Sequence, residues 1–181
     1  MPNIFYAADL HFGHKNILRL CSRPFSSVEE MDDAIVARWN AKVKPDDIAY
    51  IVGDVSMKNA KYAVQRLQSM NGEKHLIIGN HDRHLLKSEE FRACFVERTN
   101  YAYIRDNGRE VVLCHYPFAE WDGMYHGTYH VYGHIHNSKN DTYRVMRDKE
   151  RAYNAGVDIT DFEPCTLDEL MTKNSKFRKD G

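Results

Sequence analysis

Asn3-Ile4-Phe5-Tyr6-Ala7-Ala8-Asp9-Leu10-His11 is an apolar run that ends in a carboxylate and an imidazole. A short apolar run bounded this way reads as a buried strand with chemistry-bearing side chains just past its carboxyl end. The pattern recurs. Residues 47–52 (Asp-Ile-Ala-Tyr-Ile-Val) lead into Gly53-Asp54, and residues 74–78 (Lys-His-Leu-Ile-Ile) lead into Gly79-Asn80-His81-Asp82. Between the first two runs Ser27-x-x-Glu30 is a capping box, and Val28, Met31, Ile35, Trp39 and Val43 recur at helical spacing, which predicts a helix over about 28–43. Ala60, Ala63, Val64 and Leu67 predict a second helix, stopped near Asn71-Gly72. Strands that alternate with helices imply parallel pairing.

Beyond about residue 95 the texture becomes strand-rich. Tyr101 to Arg105 and Glu110 to Cys114 flank Asp106-Asn107-Gly108, and Asn-Gly between apolar runs is a strong hairpin signal. Further strands are predicted at 130–132, 142–146 and 151–154, with a short helix near 167–171. His115 follows the hairpin, and Gly133-His134-x-His136 follows the next strand. Five loops thus converge on the strand ends, the edge at which open α/β sheets bind ligands. That edge holds Asp9, His11, Asp54, Asn80, His115, His134 and His136. It has no thiolate, which excludes a structural cysteine zinc site. Seven nitrogen and oxygen donors exceed the four of one tetrahedral ion and suit two divalent ions that share a bridging carboxylate.

The composition sets the frame for that chemistry. The chain has 181 residues, 43% hydrophobic, 12% aromatic and 28% charged, which is globular and far from disordered. At this length folding buries about 70% of the surface of the unfolded chain, so a core forms without staples. One domain is expected over 1–172, with 173–181 as a basic, frayed tail. Lys and Arg number 25 against 26 Asp and Glu, a net charge of -1, so bulk attraction to nucleic acid or an anionic membrane is not expected. Cys21, Cys94, Cys114 and Cys165 lie far apart with no Cys-x-x-Cys pair and read as reduced thiols. No apolar run is long enough to span a bilayer, and Asp9 interrupts any signal segment, which points to the cytoplasm.

The ordered set Asp9-x-His11, Gly53-Asp54, Gly79-Asn80-His81-Asp82, His115 and Gly133-His134-x-His136 resembles the pattern of the calcineurin-like metallophosphoesterase superfamily, small bacterial or phage type. Asn154-Ala155-Gly156 is similar to that family's closing Asn-x-Gly segment. The resemblance implies a four-layer α-β-β-α sandwich, two central sheets flanked by helices. It also implies that Asp9, His11 and His136 bind one ion, that Asn80, His115 and His134 bind the other, and that Asp54 bridges. Two ions, manganese first, with iron, zinc or nickel also suited, would polarise the phosphoryl group and supply hydroxide for in-line attack. His81 would be the general acid that protonates the leaving alkoxide, oriented by Asp82. Two departures stand out: Met57 replaces an Asp that many members carry three residues after the bridging one, and His81 is present where some small members have Cys.

The expected activity is hydrolysis of a phosphate mono- or diester, with a nucleotide among the candidate substrates. The alternatives are a nuclease acting on DNA or RNA, which a local basic groove would permit at this net charge, and a catalytically silent metal-binding scaffold. Any one of these histidines alone reads as an ordinary hydrogen-bonding residue; the ordered set reverses that. Around the set, His14 and Arg23 are placed to reach a phosphate, though either can equally pack or cap. Trp121 and Tyr125 lie in the aromatic loop between His115 and Gly133, where they serve either to stack a nucleobase or to close the core. Cys114 reads as buried filler, and His75, His84, His126 and His130 as structural or solvated.

Overall fold

The computed structural model describes residues 2–179. Strand β1 (Ile4–Ala7) pairs in parallel with β2 (Ile48–Ile51), which pairs with β3 (Glu73–Ile77) and then β4 (Glu97–Thr99), so the first sheet has the order β1-β2-β3-β4. The second sheet, β5-β6-β7-β8, begins with the predicted hairpin, β5 (Tyr101–Asp106) antiparallel to β6 (Arg109–Cys114). It continues in parallel through β7 (Tyr129–Tyr132) and β8 (Ala152–Asn154).

Alternation along the strands builds two cores at once. From β1 and β2, Tyr6, Ala8, Tyr50 and Val52 point between the sheets, where they meet Val111, Leu113, Val131 and Tyr153. Phe5, Ala7, Ala49 and Ile51 point the other way, against Met31, Ile35 and Trp39 of α2 (Val28–Lys42) and Ala63 and Leu67 of α3 (Ala60–Gln68), behind the short α1 (Ile17–Leu20). Phe91 of α4 (Glu89–Ala93) completes that layer. On the outer face of the second sheet, Val112, Tyr132 and Ala152 pack on Trp121, Ile135, and Tyr143 and Met146 of α5 (Asp141–Met146). The result is the expected α/β four-layer sandwich. Ser27 caps α2 by accepting from the Glu30 N–H, as the capping box predicts.

Two local expectations are corrected. Residues 142–146 are helix α5 rather than a strand, because Asn140 accepts from the Tyr143 N–H and starts a turn that buries Tyr143 and Met146 on one side. The helix expected near 167–171 continues as α6 (Leu167–Lys179). The basic run 173–179 is therefore its second half, not a frayed tail. Asn174 is buried there and Phe177 meets Tyr143, while residues 180–181 lie outside the described residues. Strand β4, which no sequence pattern predicts, carries no alternation in its Glu-Arg-Thr sequence and forms at the sheet edge by pairing with β3. All four cysteines are free thiols. Among the described residues no helix is long and apolar enough to cross a membrane.

Candidate metal centre

Each of the five loops leaves the carboxyl end of a strand, and backbone hydrogen bonds tie the loops to each other. The Asp9 N–H donates to the Gly53 carbonyl and the His11 N–H to the Asp54 carbonyl, both at 3.0 Å. Asp9, His11, Asp54, His134 and His136 all have left-handed backbone, with φ of 58°, 52°, 58°, 72° and 51°. A non-glycine residue adopts this conformation rarely and at some cost, and such residues cluster where a site needs them. Here the sharp turn swings each side chain back over the strand ends. Gly79 and Gly53 let the loops close in: a Cβ on Gly79 would fall 2.3 Å from Asp54 Oδ1, and one on Gly53 would fall 2.2 Å from His115 Nδ1.

The seven side chains are brought together. Donor atoms of Asp9, His11 and His136 lie within 4.8 Å of one another, as do those of Asp9, Asp54 and His115. Asn80 Oδ1 stands 3.0 Å from His115 Nε2 and 3.1 Å from His134 Nδ1. Asp54 Oδ2 is 3.6 Å from His11 Nε2 and 3.5 Å from His115 Nε2. Asp54 Oδ1 is fixed by the His81 N–H at 2.9 Å, and the Asp9 carboxylate accepts from the His134 N–H at 2.9 Å.

The donor set fits a cation. Both ring nitrogens of His11 are buried without a hydrogen-bond partner, which is costly unless something else takes their lone pairs. Burial drives the His11 pKa far down, so the ring stays neutral and available as a ligand. Burial also raises Asp9 to about 6. Burial alone would lower His136, but its hydrogen bond to Asp158, with the nearby charges of Asp9 and Asp158, lifts it to about 10. The Asp9 and Asp158 carboxylates favour positive charge at His136, which a bound cation would supply in place of the proton.

The surrounding residues divide. His81 is exposed, its ring centroid 5.6 Å from that of His11, and among the described residues its ring makes no hydrogen bond. Asp82 does not orient it. The Asp82 carboxylate is fully buried and accepts from the backbone N–H groups of Asp54, Val55 and Gly79 at 2.9, 2.8 and 2.8 Å, which pins the second ligand loop to the third. His14 lies beside the cluster, its ring 5.4 Å from His11.

Arg23 is buried, with every donor group engaged inside the protein, so it has no fork left for a phosphate. Trp121 is 8% exposed and donates its Nε1–H to the Thr128 carbonyl, so it is packing. Tyr125 is 80% exposed but lines, with Trp121 and residues 148–151, a separate cleft of about 430 Å³ that contains none of the seven. The aromatic beside the cluster is Tyr116, 43% exposed with its ring 4.6 Å from His134. Its place directly after His115 was the available sequence signal.

Asp158 was legible in no motif. Its Oδ2 accepts from His136 Nδ1 at 2.8 Å. Asn154, in the closing Asn-x-Gly segment, donates its Nδ2–H to the His136 carbonyl and accepts from the Gly156 N–H.

The chain is 35% identical over 173 residues to the uncharacterized protein MJ1445 of Methanocaldococcus jannaschii, covering 94% of this chain and 90% of that one. It is 28% identical over 164 residues to the Gene 66 protein of Mycobacterium phage L5, covering 76% and 79% of the two chains. The crystal structure of the protein of unknown function AQ665 from Aquifex aeolicus superposes with a TM-score of 0.74 over 95% of this chain and 99% of that one, at 22% identity. No protein-family model matches the chain.

Proposed function

We propose that this chain, which belongs to the family of the MJ1445 protein, is a phosphoesterase of the calcineurin-like metallophosphoesterase type that works with two divalent ions. The observation that carries this is the position of Asp54 Oδ2, 3.6 Å from His11 and 3.5 Å from His115. It lies between one triad of donors, Asp9, His11 and His136, and another, Asn80, His115 and His134. A carboxylate so placed would be shared by ions held in the two triads. When bound, a pair of such ions supplies Lewis-acid polarisation of the phosphoryl oxygens and an activated water.

The chain's own residues do the rest. Asp9 and the neutral His11 hold charge and lone pairs in a dry setting, and the bonds of Asp82 to three backbone N–H groups keep the Asp54 and Asn80 loops in register. His81, exposed at the rim and outside both triads, protonates the departing oxygen. Tyr116 offers an aromatic ring beside His134, which supports a substrate carrying a nucleobase, in a mono- or diester. The nuclease reading draws on the same ring.

A panel of phosphate mono- and diesters, assayed with manganese, iron, zinc and nickel after chelation, tests the proposal. The chelated protein is expected to be inactive and a returned divalent ion to restore turnover. Asp54→Asn is expected to lose ions and activity together. Full turnover in a sample shown to be metal-free overturns the reading.

A further inference from the structure

Arg23 and Asp158 stand 135 positions apart, and their side chains are 0% and 1% exposed. They meet as a fork: Arg23 Nε donates to Asp158 Oδ1 at 2.8 Å and Nη2 to Oδ2 at 3.0 Å. The remaining donors reach into the first ligand loop, Nη2 to the Asp9 carbonyl at 2.7 Å and Nη1 to the Leu10 carbonyl at 2.9 Å. Asp158 Oδ2 in turn takes the Nδ1–H of His136. One buried ion pair therefore holds both halves of a single triad, the Asp9-Leu10-His11 turn by its carbonyls and His136 by its ring.

This arrangement has two physical consequences. A hydrogen bond from Nδ1 to a carboxylate fixes the imidazole tautomer, which leaves Nε2 of His136 as the atom free to bind an ion. The two captured carbonyls belong to a turn in which Asp9 and His11 are left-handed, so Arg23 braces a backbone conformation that would otherwise relax. Asp158 and Cys21 also lie near His136. Both Asp158 oxygens are already spent on Arg23 and His136, so the carboxylate acts on the site through hydrogen bonds. Among the described residues no ion pair holds the second triad in this way: His115 Nδ1 is held by the neutral Val52 carbonyl at 2.9 Å.

We infer that Arg23 and Asp158 form a positioning pair dedicated to one of the two ions, the one held by Asp9, His11 and His136, and act more weakly on the other ion's triad, with which they share no hydrogen bond. The inference rests on the two-ion proposal above. Its test is the titration of metal-free protein with manganese by calorimetry and metal analysis, with electron paramagnetic resonance to distinguish a coupled pair from an isolated ion.

Wild type is expected to take two ions and show coupling. Asp158→Asn is expected to weaken one site about 10- to 100-fold, the usual effect of losing such a partner, so that one tight, uncoupled ion remains. Because Asp158→Asn leaves a buried guanidinium without its counter-charge, Arg23→Gln/Asp158→Asn, which removes both charges, is measured alongside, with circular dichroism to show that the metal-free variants are folded. The double variant is expected to show the same one-site loss. Two unchanged affinities in a folded variant, or equal weakening of both, overturn the positioning role alone. A wild-type chain that binds fewer than two ions overturns the two-ion proposal and this inference with it.

Discussion

Among the described residues His81 is hydrogen-bonded to the site only through its backbone N–H, which donates to Asp54, while its exposed ring meets His11 edge-on at the rim. A group held this way can carry a proton without carrying an ion. His81→Ala is expected to keep its metal content and to lose about 10²- to 10⁴-fold in turnover of alkyl phosphate esters, the usual contribution of a positioned acid. Nitrophenyl esters, whose leaving group needs little protonation, should lose much less. A uniform loss across leaving groups would mean that His81 stabilises phosphoryl charge instead, and lost metal would make it a ligand.

A different histidine, outside the candidate site, adds its own dependence of stability on acid. His130 is fully buried, its Nδ1 donating to the Val112 carbonyl and its Nε2 accepting from the Phe118 N–H, and burial pushes its pKa from 6.5 down to about 4. Between those values the unfolded chain binds a proton that the folded chain refuses. The contribution is therefore complete above pH 6.5 and is lost as pH falls toward 4, a total of about 3 kcal/mol at ~1.4 kcal/mol per unit. In metal-free protein the stability advantage of wild type over His130→Gln should shrink by about that amount between pH 7.5 and 4. A pH-independent gap in denaturant melts would refute it.

Residues of this kind mark where sequence reasoning stops. The seven candidate ligands were visible because each follows an apolar run that announces its strand. Arg23 was singled out for a phosphate it does not face, and Asp158 not at all, since a bond across 135 positions leaves no local pattern.

At the scale of elements, α6 decides more than its basic sequence suggests. Asn174 is 2% exposed, and its side chain mimics a strand: Oδ1 accepts from the Asn154 N–H at 2.8 Å and Nδ2 donates to the Asn154 carbonyl at 2.9 Å. Asn174→Leu would leave the backbone N–H and carbonyl of Asn154 unpaired, at about 1–3 kcal/mol. A melting temperature lowered by several degrees is expected, and an unchanged one would show that water replaces the side chain. Charge runs read as solvated faces in sequence because the one buried polar residue among them, here Asn174, is indistinguishable from its neighbours. The same limit applied at 142–146, where Thr-Tyr-Arg-Val-Met has strand-like composition and only the Asn140 cap decides for helix. By contrast β1, β2, β3 and the β5–β6 hairpin were legible, because buried strands and Asn-Gly turns carry their signal within a few residues.

At the scale of the whole molecule, the candidate ligands are shared between the sheets: Asp9, His11, Asp54 and Asn80 follow strands of the first, and His115, His134 and His136 follow strands of the second. Whatever binds them is consequently a rivet across the seam of the sandwich, driven in at one end only. At the opposite end the sheets are held by side-chain packing and the Tyr6–Asp106 hydrogen bond. Withdrawing the ions should therefore let the seam gape at the riveted end, with amide hydrogen exchange quickening together in residues 8–12, 53–56, 79–82, 115–116 and 133–136, while the strand interiors stay protected. Exchange that quickened in the loops of one sheet alone would show that no such rivet exists. A sandwich riveted in this way would register its metal supply in the tightness of one seam.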